Sequence, residues 1–160
     1  MIRTLTAADA ASYRDLRLQA LRLEPLAFSA SAEEEGAEPL SFFAGRLGEN
    51  ACFGAFYAEA LIGFVGLRRL GRAKTRHRGE IWGMYVAEDH RGSGVARDLL
   101  EFVVESAGDL RQLELNVVAD NGRAVRFYQG CGFVRTGVVP RAALVDGRYH
   151  DELVMVRDMH

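Results

Sequence analysis

The stretch that most constrains this chain is an apolar run that breaks into a glycine turn and restarts at once as a helix. Val86-Ala87-Glu88-Asp89-His90-Arg91-Gly92-Ser93-Gly94-Val95-Ala96 links a strand-like segment, Glu80 to Val86, to a segment of helical character. In the latter, Val95, Leu99, Leu100, Val103 and Val104 repeat at the spacing of one helix face, and the pattern runs to about Ala107. Leu113 to Val118 then reads as another strand. Two strands joined by a crossover helix normally lie parallel in one sheet, with a right-handed connection. A fold built around this unit needs a sheet, not a helical bundle.

The rest of the chain supplies the remaining layers. Ile2 to Thr6 reads as a short strand, and Thr6-Ala7-Ala8-Asp9 carries the start signal of a helix. Ala10, Tyr13, Leu16, Ala20 and Leu23 mark that helix's apolar stripe, and Glu24-Pro25 ends it. A second helix is expected from Glu33-Glu34-Glu35 towards Leu47, with Pro39 able to split it into two short pieces. Ala51 to Tyr57 and Leu61 to Leu70 read as a hairpin across Ala58-Glu59-Ala60. Arg123 to Gln129 is a short helix, and Phe133 to Val139 and Glu152 to Arg157 are the last strands. The order predicts an α/β chain of the α+β type. Its centre is a mixed, mostly antiparallel sheet of about seven strands, flanked by about four helices and forming a single domain over residues 1–160.

Composition removes several classes of function. A formal charge of −2 offers no global basic field for nucleic acid. The one basic run, Arg68, Arg69, Arg72, Lys74, Arg76 and Arg78, reads as a solvated loop or a partner contact. No apolar stretch approaches the ~20 residues of a membrane span, and Met1-Ile2-Arg3-Thr4-Leu5 lacks a signal-peptide core. Cys52 and Cys131 form no framework and sit among apolar neighbours. A cytoplasmic protein is expected. His77, His90, His150 and His160 lack metal-ligand spacing, so no metal is expected.

The glycine turn has its own chemistry. Glycine lets a ligand approach the backbone, the first amides of a helix lack intrahelical partners, and the helix dipole attracts anions there. Phosphate is the expected ligand, with Ser93 adding a hydroxyl and Arg91 a charge. The Walker string G-x-x-x-x-G-K-S/T is absent. A dinucleotide fingerprint would need a third glycine where Arg97 stands, although Glu114 lies near the distance of a ribose-binding acid. A tight turn that binds nothing is the structural alternative.

These residues resemble a known family. Arg91-Gly92-Ser93-Gly94-Val95-Ala96 is similar to the Gln/Arg-x-x-Gly-x-Gly/Ala acetyl-CoA signature of the GNAT N-acetyltransferases. Downstream, Asn121, Ala124, Phe127, Tyr128 and Gly132-Phe133 resemble that family's N-x-x-A-x-x-F-Y…G-F segment. The resemblance implies direct transfer of an acetyl group from acetyl-CoA to a primary amine. It places the pyrophosphate on Arg91, Gly92, Ser93, Gly94, Val95 and Ala96, and the pantetheine arm along Met84, Tyr85 and Val86. Gly83 suits a local distortion of that strand. Asn121 would contact the arm, or simply cap the next helix. Tyr128 would protonate the departing thiolate, or else pack beside Ala124 and Phe127. Glu80 occupies the position of a general base in the histone-acetylating branch, or is a strand-end acid paired to the basic run. Asn116 would orient a water or the amine, or is a satisfied polar residue.

The acceptor is the least specified part. Phe28, within Glu24-Pro25-Leu26-Ala27-Phe28, and the acids Glu33, Glu34, Glu35 and Glu38 lie in the acceptor zone that the resemblance implies. An acidic rim would favour a cationic amine, whereas a solvated helix start would carry no specificity. A non-catalytic acyl-CoA-binding module and a nucleotide binder are the competing functions. Homodimers are common in the family, and the sequence is compatible with one.

Overall fold

The structure, a computed structural model, describes residues 1–159. Its elements in chain order are β1 (Ile2–Thr4), α1 (Ala10–Leu23), α2 (Ala32–Gly36), α3 (Leu40–Glu49), β2 (Ala51–Tyr57), β3 (Ala60–Arg69), β4 (Arg78–Val86), α4 (Val95–Ser106), β5 (Gln112–Val118), α5 (Gly122–Gly130), β6 (Val134–Val145) and β7 (Arg148–Asp158). Short 3-10 turns cover Ala7–Asp9, Pro25–Ala27 and Glu88–His90. The strands run in the order β1-β2-β3-β4-β5-β7-β6 in one seven-stranded sheet. β4 and β5 are parallel, and β1–β2, β2–β3, β5–β7 and β6–β7 are antiparallel. The mixed, mostly antiparallel sheet expected from the element order is therefore present.

Cα packing groups the chain into two compact units, one of Met1–Arg68 with Trp82–Ser106, the other of Arg69–Ile81 with the residues from Ala107 on. β4 contributes to both. In the first unit, α1 buries Tyr13, Leu16, Ala20 and Leu21. The Tyr13 ring meets Phe64 of β3 at 5.2 Å and Phe43 of α3 at 6.3 Å, both edge-on. Such pairs add specific geometry to the area they remove from water. The fifth helix arises because Pro39 does divide the second helical segment. α2 starts on Ser31, whose hydroxyl accepts from the Glu34 amide at 3.1 Å, and α3 starts directly after Pro39.

In the second unit, Leu113, Leu115 and Val117 of β5 point to one buried side, while Asn116 faces out. β6 and β7 are longer than the sequence reading, because Asp146-Gly147 closes a hairpin between Val145 and Arg148. Both turn residues take positive φ, 49° and 75°, the geometry that twists with its strands. Pro140 sits where the register shifts between Val139 and Ala143. There the Arg141 amide donates to the Asp151 carboxylate at 2.9 Å instead of to a ladder partner. The basic run is also less of a loop than expected. Arg68 and Arg69 end β3 and Arg78 begins β4. Arg69 pairs with Asp109 at 2.7 Å, and Arg78 grips Glu114.

Candidate active site

The turn before α4 presents its backbone. Gly92 and Gly94 have φ of +75° and +89°, a region that L side chains rarely adopt, and a β-carbon at either would meet no atom within 4 Å. The first helical amide bond here runs from Asp98 to the Gly94 carbonyl, 3.0 Å. The amides of Gly92 to Ala96 stand at the positive end of a twelve-residue helix, where helix amides lack intrahelical acceptors. This donor set fits the pyrophosphate of coenzyme A.

The two side chains expected to help are engaged with other groups of the protein. Ser93 Oγ donates to the His90 carbonyl. Arg91 Nε donates to the Val86 carbonyl at 3.1 Å, and its Nη2 pairs with Glu24 at 2.9 Å. The same guanidinium lies 5.6 Å from the Tyr85 ring centroid. Arg91 thus ties the end of β4 to the turn and to the end of α1, and Glu24 offsets the charge the sequence reading assigned to phosphate.

Upstream in β4, Tyr85 is buried, with its hydroxyl accepting from Gln19 Nε2 at 3.2 Å and its ring 6.5 Å from Phe28. Met84 is half-buried, and Val86 is buried at the strand end. Gly83 takes a left-handed φ of +61°, so β4 is locally distorted where the sequence reading placed a glycine kink.

Beside this strand lies a charged cluster that the sequence reading missed. Arg17 of α1 donates from Nε and Nη2 to the two carboxylate oxygens of Glu35, both at 2.9 Å. Arg46 of α3 reaches the same oxygens at 3.2 and 3.3 Å. Burial pushes the Glu35 carboxyl upward, but the bonds from Arg17 and Arg46 outweigh that and hold it below the usual carboxylate range. Glu35 is only 4% exposed, so it is not part of a solvated acidic helix start. Phe28 covers the Arg17 guanidinium at 4.7 Å. Trp82, whose indole lies over Gly66, faces Arg46 at 5.6 Å. One sequence signal was present: Arg17 falls on the stripe marked by Tyr13, Leu16 and Ala20, where a charge must be buried.

The remaining candidates belong to the second unit. Glu80 is the third residue of β4, is half-buried, and lies opposite Glu114 of β5 in parallel register. Arg78 binds Glu114 through Nε and Nη2 at 2.9 and 2.8 Å, giving one face of the sheet a carboxylate already neutralised next to Glu80. Asn116, two residues beyond Glu114, shares that face and is exposed. Asn121 caps α5, its Oδ1 accepting from the Ala124 amide at 3.3 Å. Tyr128 is half-buried between Phe127 and Phe133, at 5.3 and 5.8 Å between ring centroids. Burial, and next the nearby Cys131, raise its phenol above the ordinary value. His150, buried on β7, places Nδ1 2.6 Å from Asp120, just before the cap. Among the described residues no group of three His, Cys, Asp or Glu could hold a metal ion. His160 lies outside the described residues. No described helix is long and apolar enough to cross a membrane.

Comparison with known proteins identifies the family and the fold. The model of the Acetyltransferase (GNAT) family matches residues 16–133. The chain therefore belongs to the GNAT family. It is 30% identical over 96 residues to the spermidine N(1)-acetyltransferase of Vibrio cholerae, covering 58% of this chain and 56% of that protein. The chain spans about half the length of several curated relatives it matches. Among solved structures, a GNAT-family acetyltransferase from Streptococcus pneumoniae superposes with a TM-score of 0.88 and 26% identity, over 99% of this chain and 98% of that one. A putative acetyltransferase of Salmonella typhimurium, solved with its cofactor acetyl-CoA, shares the fold at a TM-score of 0.81 and 20% identity, over 100% of this chain and 94% of that one.

Proposed function

We propose that the chain acts as one acyl-transfer domain, an N-acetyltransferase that moves an acetyl group from acetyl-CoA to a primary amine. The observation that carries this reading is the open, two-glycine turn at the start of α4, in a chain of this family. Bound acetyl-CoA supplies the activated acyl group as a thioester. The amides of Gly92 to Ala96 hold the pyrophosphate, and Met84, Tyr85 and Val86 offer their backbone to the pantetheine arm. Asn121 serves as helix cap and contacts that arm.

In the reaction the amine nitrogen bonds to the acetyl carbon and the carbon–sulfur bond breaks. The amine loses a proton and the departing thiolate gains one, giving an amide and a thiol. Glu80 is the base, directly or through a water that Asn116 orients. Tyr128 is the acid. A free phenol is a weaker acid than a thiol, so this proton transfer is uphill by about 2 kcal/mol in water. Burial raises the Tyr128 phenol and by itself makes it a weaker acid, so the transfer comes to balance only as the same water-poor surroundings raise the departing thiol by more than the phenol. The cysteines, neither in a disulfide, suit a reducing compartment such as the cytoplasm.

Two measurements test this. Calorimetric titration should show saturable binding of acetyl-CoA and none of NADH or ATP. Thiol release from acetyl-CoA should then accelerate with an amine acceptor. Binding without amine-dependent release would favour a non-catalytic acyl-CoA module, and binding of NADH alone a dinucleotide site. Tyr128→Phe should lower kcat by about 100-fold with acetyl-CoA affinity unchanged. Unchanged kcat would remove Tyr128 from the chemistry.

A further inference from the structure

The cluster of Arg17, Glu35 and Arg46 is larger than its structural task. Tying α1, α2 and α3 together accounts for Arg17 Nε and Nη2 and for both contacts of Arg46. It does not account for Arg17 Nη1, which is buried with no hydrogen-bond partner. The Arg17 side chain is 6% exposed, so this donor has no access to bulk water in exchange. Two guanidinium groups also face one carboxylate, leaving the cluster one positive charge in excess. A buried charged donor without an acceptor is costly, and proteins keep such groups where something completes them.

Its position says what would complete it. Nη1 lies 3.0 Å from where a β-carbon on Gly83 would sit, so it rests against the backbone of β4 at the one residue of that strand with left-handed φ. Gly83 comes immediately before Met84, Tyr85 and Val86. On the acetyl-CoA reading given above, on which this inference rests, the cofactor arm follows those residues back from the phosphate turn. The acyl end, and with it the attacking amine, then falls at Gly83. Phe28, over the other side of the guanidinium, supplies an apolar wall.

We propose that Arg17 Nη1 binds a carboxylate of the acceptor, and that the acceptors are small amines of the amino-acid type. The carboxylate satisfies the unpaired donor and brings the cluster to neutrality, while the amine of the same molecule reaches the acyl carbon beside Gly83. A polyamine does neither, since it brings further positive charge to a site already in excess by one. Glu35 offers such a cation no compensation, because both its oxygens are taken by Arg17 and Arg46.

The test compares each amino acid with its own decarboxylated amine: phenylalanine with phenethylamine, methionine with 3-methylthiopropylamine, lysine with cadaverine. Within at least one pair, kcat/KM for acetylation by the wild-type protein should favour the carboxylate member by roughly 100-fold or more, as sites built on a buried donor discriminate. In Arg17→Met the preference should collapse through a rise in acceptor KM, with acetyl-CoA affinity kept, and Arg17→Lys should restore part of it. Transfer to the bare amines at equal or higher efficiency throughout overturns the inference. So does a variant that loses kcat while keeping the acceptor preference, since that is a structural role alone. The wild-type comparison decides the matter even if Arg17→Met does not fold. If the wild type binds acetyl-CoA and transfers to no amine at all, the acetyltransferase reading fails, and this inference with it.

Discussion

Two places in the first unit gather hydrogen-bond donors for a ligand, and they do so by opposite means. The turn before α4 uses backbone amides in open space, with glycines at φ of +75° and +89° and its Arg91 and Ser93 side chains bonded back to backbone carbonyls. The cluster beside Gly83 uses side chains from three helices, packed out of water around one carboxylate. The first kind of site is made by local chain geometry, so it tolerates the loss of side chains and fails when one is added. The second is made by packing, so deleting one member leaves opposite charges buried without partners. A cofactor common to many enzymes suits the first construction, and a particular acceptor suits the second.

The largest effect that would break this contrast is at the turn. Gly94→Glu fills the open space and puts a negative charge where a pyrophosphate would rest, so acetyl-CoA affinity should fall by more than about 100-fold. Titration calorimetry reads it, and retained affinity would move the phosphate site elsewhere. Unfolding should stay cooperative in this variant, because the turn contributes little to the core.

The next effect tests the cluster. Glu35→Ala strands two buried guanidinium groups, which should cost about 3–5 kcal/mol of stability, measured as a lower denaturant midpoint. Acetyl-CoA affinity of the folded fraction should not change. A loss under about 1 kcal/mol would mean that water reaches the cluster and that it is a surface feature.

The smallest effect comes from a partly buried ion pair at the surface that serves as the contrast. Asp9 receives Arg3 at 2.8 Å and the Thr6 amide at 2.8 Å at the start of α1. The Arg3 bond first, despite opposing desolvation, lowers its carboxyl to about 2. A depressed carboxyl adds stability that is complete above its unfolded value, near 4, and is lost as pH falls towards 2. Screening by solvent keeps this contribution under about 1 kcal/mol. Asp9→Asn should remove it at neutral pH and flatten stability between pH 4 and pH 2 relative to the wild type. A larger loss would place Asp9 with the buried cluster in kind.

The same contrast explains what could be read from the letters. The turn is contiguous, and strand, glycines and helix face announce themselves within residues 80–107. The strands flanking it were legible for the same reason. The cluster joins Arg17, Glu35 and Arg46 across three helices, so no local window contains it, and Glu35 looked like its solvated neighbours Glu33 and Glu34. Only the charge on the stripe of α1 hinted otherwise. The β6–β7 hairpin failed in a different way. The reading stopped one strand at Val139 and began the last at Glu152, and the bulge that carries β6 past Pro140 is a tertiary fact.

The two thiols have a practical consequence for watching this protein at work. Cys52 is 1% exposed and Cys131 5%, and burial pushes the Cys52 thiol up to about 12. Attack on a disulfide reagent requires an accessible thiolate, so the folded chain should be nearly silent to such a dye. Colour developing with acetyl-CoA and an amine present would then belong to the product thiol alone. Colour developing slowly without them would count molecules that have opened. One reagent in one cuvette would thus separate turnover from unfolding, and any variant above would carry its own internal clock.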